Sequence, residues 1–427
     1  MGNYMDALGY LYTPEAANWL TNLYGKREGV LVSQTDRYRR LGKRHMELFG
    51  EKNLYFCSAP GRTEIAGNHT DHQGGKVIAA TVSEGIEVLM QPNDEMRGRV
   101  SSPGHQDINI DLTELAPVPA EQGNSAALVR GVVAGLKAAG VPVAGFDART
   151  ESALASGGGL SSSAAFELGI ATALDLLYGD AKTGPITRAL IAQDAERYYY
   201  GKPCGLMDQA AIALGGIVAM DFKNPEAPRH ERIDFNFAAH GSSICLIDTK
   251  SSHSDKTDDY ASIGQDMLAV ARAFGAERLR QVDENAFLAK LGDIRATLGD
   301  RAALRALHYY HEMRLVEARA NAMRAGDIEL FLQLTRLSGI SSAQYLQNVS
   351  PLGSSEQPAM VALALSDIAL GVHGVSRIHG GGFGGSIQAY VPTEISKLFA
   401  TSVEQLLGPD TVHFIELSSK GAFAQWI

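Results

Sequence analysis

A glycine-led turn feeding straight into a helix constrains this chain more than any other segment. Residues 157–164 read Gly-Gly-Gly-Leu-Ser-Ser-Ser-Ala, and a helix-forming run from Ala165 to Leu177 follows at once. Glycine backbones curl tightly and come close to a ligand. The serines behind them suit a helix N-terminus. Unpaired N–H groups and the positive end of the helix dipole then converge on one point, which favours an anion, phosphate above all. The turn is not a Walker A loop, because no Gly-x-x-x-x-Gly-Lys-Ser/Thr occurs in the chain. Alone, it reads equally well as a flexible loop before an ordinary helix.

At 427 residues the chain is long enough for two domains. Its net charge of −10, with no long basic run, argues against a nucleic-acid or acidic-membrane partner. A nucleotide is not excluded, since backbone N–H groups and Mg²⁺ neutralise phosphate locally. Cys57, Cys204 and Cys245 lie far apart, which opposes a disulfide framework and fits a reducing cytoplasm. No apolar run reaches the length of a membrane span, and no secretion signal is evident at the N-terminus.

Hydrophobic periodicity predicts helices over 14–51, 126–139, 162–178, 186–200 and most of 256–345. Strands are expected at 54–58, where Pro60-Gly61 punctuates the run, within 76–90, and at 107–112, 217–222, 243–248, 387–391 and 411–417. Strands and helices mix in each half, which predicts an α+β fold. The Pro- and charge-rich stretch 223–232 suggests domains of 1–225 and 226–427.

Two further constellations carry chemistry. Residues 59–75 crowd Arg62, Asn68, His69, Asp71 and His72 into a turn-rich segment. Such groups accept from and donate to sugar hydroxyls. His69-x-Asp71-His72 also suggests a metal site, although no further His or Cys cluster completes it. A solvated polar loop is the plainer alternative. Gly380-Gly-Gly-Phe-Gly-Gly385, behind Arg377 and His379, implies close packing or close approach to a ligand. His308 and His311 share a helical face without a third ligand, and Tyr198–Tyr200 has no interleaved basic residues, so both groups read as packing.

In this order and spacing, the three motifs resemble those of the GHMP kinases. Arg62–Gly75 is similar to the galactokinase signature Gly-Arg-Val-Asn-Leu-Ile-Gly-Glu-His-Thr-Asp-Tyr-Asn-Gly-Gly. Glu196–Gln209, ending Lys202-Pro-Cys-Gly-Leu-Met-Asp-Gln209, resembles the segment with the family's catalytic aspartate. His253–Tyr260 resembles the stretch with a sugar-contacting tyrosine. The likeness runs from about residue 35 to 390 and implies a two-domain GHMP kinase fold with the site between the domains.

The resemblance implies that Asp208 and Arg62 are catalytic and that Asn68, His69, Asp71, Gly205 and Tyr260 hold the sugar. It implies that Gly157, Gly158, Gly159, Leu160, Ser161 and Ser162 cradle the ATP phosphates, with Gly381 and Gly382 against the site. Ser163 and Glu196 are the implied Mg²⁺ contacts, with Ser162 competing for the serine role. The implied reaction is ATP-dependent phosphorylation of galactose at its anomeric hydroxyl, by a monomer or weak homodimer acting on sugar and ATP alone.

Three departures bear on the acceptor. Asn68 stands where the signature has Glu, His72 where it has Tyr, and the Arg-Arg pair usual after the tyrosine is missing past Tyr260. The family's Glu lies near the sugar's C6 end, so a neutral Asn68 would tolerate a 6-carboxylate. Galactose, galacturonate and another hexose or hexosamine therefore stand as acceptors. A non-catalytic sugar- and ATP-responsive regulator is a further alternative, opposed by intact Ser163-Ala164, Asp208 and Arg62.

Overall fold

An eight-stranded and a four-stranded sheet, flanked by helices, make up the α+β architecture of the computed structural model, which describes residues 9–25, 29–50, 52–154, 158–251, 257–351 and 353–426. The chain opens with α1 (Pro14–Tyr24), α2 (Val30–Phe49), β1 (Tyr55–Ala66), β2 (Lys76–Pro92), β3 (Arg97–Ser101) and β4 (Ile108–Asp111). It continues through α3 (Ser125–Ala138), β5 (Phe146–Ser152), α4 (Ser162–Gly179), α5 (Pro185–Asp194), α6 (Met207–Leu214), β6 (Ile217–Asp221) and β7 (Arg229–Ile233). Next come β8 (Ser242–Asp248), α7 (Thr257–Ala273), α8 (Glu284–Ala289), α9 (Leu291–Leu298), α10 (Asp300–Arg324) and α11 (Ile328–Ser341). The last elements are α12 (Pro358–Leu370), β9 (Val375–Ile378), β10 (Ser386–Pro392), α13 (Ser396–Leu407), β11 (Val412–Ile415) and β12 (Phe423–Trp426).

The larger sheet runs β12-β1-β2-β5-β3-β4, with β6 on the other half of β2 and β7 beyond it. Pairing is antiparallel except for β3 with β5. Alternation along the strands sorts the two faces. Cys57, Val88 and Met90 join Leu168 and Val132 beneath α3 and α4, whereas Phe56 and Leu89 pack against Leu20 and Tyr38 of α1 and α2. The smaller sheet runs β11-β8-β10-β9. One core joins the two sheets: Ile65 and Ile78 share it with Leu246, Tyr390 and Val316.

Most expected elements form, with instructive differences. The helix expected over 14–51 is α1 and α2, parted at Gly25 and Gly29, both at positive φ. The helix expected over 186–200 is α5 plus a π-helical turn, Ala195–Tyr200, which carries Glu196. Pro60-Gly61 does not end β1: the strand shifts register between Pro60 and Arg62 and runs on to Ala66. The junction expected between 225 and 226 falls inside the β6–β7 hairpin, where Ile217 pairs with Ile233, and β12 returns to pair with β1.

Candidate active site

The irregularity in β1 is where the glycine loop docks. A Cβ on Gly61 would lie 2.9 Å from the Leu160 carbonyl oxygen, so glycine lets the loop approach. The Arg62 N–H then donates to that carbonyl at 3.1 Å, and its guanidinium donates to the Gly159 carbonyl. Gly159 and Ser161 take left-handed backbone angles, φ 67° and 58°, at the foot of α4. Among the described residues no side chain caps α4. The N–H groups of its first turn therefore lack intrahelical partners and remain as anion donors. Gly157 lies outside the described residues. The Gly158 carbonyl accepts from Ser386 of β10 at 3.3 Å, which ties this loop to the second sheet.

Arg62 also reaches Asp208, the second residue of α6. Its Nε donates to Oδ1 at 2.6 Å and its Nη2 to Oδ2 at 2.7 Å. The Ser161 hydroxyl donates to the same Oδ2. Arg62 is buried, while the Asp208 side chain keeps 32% of its exposure, directed into a cavity. Burial works to raise the pKa of Asp208, but the Arg62 cation and its hydrogen bonds, with Ser161 and Lys202, hold it below the ordinary carboxylate value.

That cavity gathers Arg62, His69, Asp71, Glu196, Gly205, Asp208, Tyr260 and Gly381, from segments spread over the chain. His69 Nε2 pairs with the Gly381 carbonyl at 2.9 Å, and its ring sits 5.1 Å from that of Tyr260. Burial, with His72 beside it, depresses His69 to about 3, so the ring is neutral near pH 7 and donates to the carbonyl. Burial and the Asp208 charge raise Asp71 to about 6. A Cβ on Gly205 would fall 1.5 Å from Asp71 Oδ2, so only glycine lets the α6 lead-in pass that carboxylate.

Not every expected residue faces the cavity. Asn68 is fully buried behind its wall: Nδ2 donates to the Gly380 carbonyl at 2.6 Å, and Oδ1 accepts from Asn348 at 2.8 Å. It props the second glycine loop. Gly382 packs on Asn348, where a Cβ would lie 2.1 Å from the carbonyl oxygen. Gly381 packs on the Tyr260 ring, where a Cβ would lie 2.5 Å from a ring carbon. From this side, Ser386 rather than Gly381 or Gly382 touches the phosphate loop; it is backed by His379 Nδ1 at 3.2 Å. The lining residues that sequence reasoning gave no role are Glu64, Lys202, Pro203, Cys204 and Met207. Lys202 stands in the quoted motif and gave the clearest missed signal: its Nζ reaches Glu196 Oε1 at 2.8 Å.

Ser163, the second residue of α4, places its Oγ 3.3 Å from Glu196 Oε1. A hydroxyl and a carboxylate oxygen so close, beside open N–H donors, fit two protein ligands of a Mg²⁺ that keeps phosphates and waters for the rest. Ser162, the competing choice, is the first residue of α4. The His69–His72 alternative finds no support: no cluster of three metal-ligating side chains occurs among the described residues. His308 is structural, bridging Ser341 Oγ and the Asn68 carbonyl at 2.9 Å each.

This fold and loop arrangement define a GHMP kinase. Residues 125–216 match the GHMP kinases N terminal domain, and residues 43–92 match the galactokinase galactose-binding signature. A galactokinase of Actinobacillus pleuropneumoniae is 31% identical over 380 residues, covering 86% of this chain and 94% of the relative. A Streptomyces coelicolor galactokinase is 31% identical over 354 residues, covering 81% and 87%. The crystal structure of Lactococcus lactis galactokinase complexed with galactose superposes with a TM-score of 0.78 at 22% identity, over 91% of this chain and 99% of the other. The chain belongs to the galactokinase family.

Proposed function

We propose that the chain transfers the γ-phosphoryl group of ATP to the anomeric hydroxyl of galactose, giving galactose 1-phosphate. The observation that carries this reading is the shared grip of Arg62 and Ser161 on Asp208, at the point where the glycine loop meets the sugar-signature loop. Phosphoryl transfer asks for positioning and charge neutralisation rather than covalent chemistry by the protein. The Gly158–Ser162 loop and the α4 N-terminus orient the phosphates. His69, Asp71, Gly205 and Tyr260 hold sugar hydroxyls in line with them, which removes much of the entropic barrier. Arg62 faces the transferring group and stabilises its charge. Asp208 holds the anomeric hydroxyl and takes its proton late, as the new P–O bond acidifies it.

Ser163 and Glu196 would hold Mg²⁺, which supplies Lewis-acid neutralisation of the phosphates when bound. Lys202, already against Glu196, adds a cation on the same side. We place the division between the two units after β7 and assign the chain to the cytoplasm, as a monomer or weak homodimer with no nucleic-acid or membrane partner. The free thiols Cys57, Cys204 and Cys245 and the net charge of −10 support this setting.

ADP release measured side by side with galactose, galacturonate and N-acetylgalactosamine tests the reaction, and the phosphorylated position follows from the product. Galactose binding without ADP release would favour the regulator instead. Asn68 lends the uronate reading no support, since its amide is spent on Gly380 and Asn348 behind the cavity wall.

A further inference from the structure

The quoted signature has Asn at the position of Glu64 and Glu at the position of Asn68; this chain has the reverse. The two side chains touch, with Asn68 Nδ2 3.3 Å from Glu64 Oε1. The carboxylate has changed places within one contact pair. Glu64 lines the cavity and Asn68 does not. Between Arg62 and Glu64 the strand is in regular register, Arg62 with Thr81 and Glu64 with Ala79. Residues two apart share a strand face and stand roughly 7 Å apart along it. A hexose whose anomeric oxygen is at Arg62 and Asp208 can span that distance to Glu64.

The hydrogen bonds around Glu64 decide its polarity. Both Arg377 guanidinium nitrogens donate to Oε1, and Arg377 is itself buried. Among the described residues, Oε2 meets only the Asn68 amide, at 3.4 Å. The charge is thus neutralised from behind, while Oε2 keeps acceptor capacity on a residue that lines the cavity. A sugar hydroxyl can donate to it; a sugar carboxylate, acceptor-only, cannot.

We infer that Glu64 is a specificity-determining residue that accepts a hydrogen bond from a sugar hydroxyl remote from the reacting oxygen and rejects a uronate at that position. This rests on the sugar-kinase reading, and equilibrium binding keeps the two separable. Glu64→Gln is the sharp variant. Its one carbonyl oxygen is claimed by Arg377, so its NH₂ turns to the cavity and becomes a donor. Calorimetric titration of the full chain with galactose and with galacturonate is the experiment. The expected result for E64Q is galactose binding weakened about fivefold and galacturonate binding tightened about tenfold.

Because E64Q leaves Arg377 without its carboxylate, the double variant E64Q/R377M removes both charges of the pair and keeps its volume. Galacturonate binding is still expected to tighten there, by less than in E64Q because no guanidinium holds the substituted carbonyl away from the cavity, with thermal unfolding as a check on folding. Wild-type preference for galacturonate, or a folded variant whose selectivity does not move, overturns the inference. Wild-type galactose binding without ADP release would overturn the catalytic reading and leave this one standing.

Discussion

Arg62 holds Asp208 through two parallel hydrogen bonds, of 2.6 and 2.7 Å, while donating backward to the Gly159 carbonyl of the phosphate loop. One guanidinium therefore fixes the distance between the first glycine loop and the Asp208 carboxylate. The same contact keeps the carboxylate ionised and makes it a weak base. On the proposed reading it would contribute most late in the reaction, when the sugar oxygen has become acidic, and electrostatically throughout.

Replacing Asp208 tests that role. Asp208→Asn keeps the shape and removes both the charge and the proton acceptor. We expect turnover to fall by about 10²–10⁴-fold. ATP binding, followed by nucleotide titration, stays near wild type because the loop backbone and the α4 N–H groups are unchanged and the amide oxygen can still accept from Arg62 or Ser161. A kcat within threefold of wild type would remove Asp208 from the chemistry.

Metal dependence is the next expectation. Chelation of Mg²⁺ should stop ADP release. Ser163→Ala deletes one hydroxyl and leaves the Glu196 contacts to Lys202 and Gln209, both 2.8 Å, in place. The Mg²⁺ concentration for half-maximal rate should rise about tenfold, with galactose affinity in the absence of metal unchanged. An unchanged Mg²⁺ requirement moves the ligand role to Ser162.

The sequence made the two glycine loops and most strands legible because they depend on local pattern, whereas Arg62 and Asp208, 146 positions apart, were legible only through the family resemblance. What it hid depends on contacts distant in sequence. Pro60-Gly61 reads as a stop, yet β1 passes through it because Leu160 docks there and takes the Arg62 N–H. Asn68 reads as a sugar contact, yet its amide is consumed by Gly380 and Asn348, some 280–312 residues away. Glu64 lies in what reads as a turn-rich segment until Arg377, 313 positions on, shows why a buried carboxylate is tolerated. Periodicity cannot see such partners.

Gly205 should tolerate no side chain. In Gly205→Ala the new methyl falls on Asp71 Oδ2, with the backbone of the α6 lead-in unable to retreat without moving Asp208. We expect a stability loss of about 1–3 kcal/mol by overpacking, read as a lower urea midpoint. The KM for galactose should rise more than the KM for ATP, since the clash lies on the acceptor side. Equal changes in the two would indicate a general loss of structure instead.

Asp71 makes stability depend on pH in an unusual direction for an acid. Burial, then the neighbouring Asp208 charge, raises it to about 6 in the folded chain, against the pull of the His72 and Met207 backbone N–H groups. The unfolded value is about 3.9. Between these values the folded state binds the extra proton, so raising the pH through this window costs stability. The cost is on the order of 2–3 kcal/mol, complete once the pH passes about 6. Asp71→Asn carries no titrating proton and escapes it. Urea unfolding at pH 4.5 and pH 7 should therefore show the variant gaining on wild type at the higher pH, while its galactose affinity falls. A stability difference that is the same at both pH values would show that Asp71 titrates at its ordinary value.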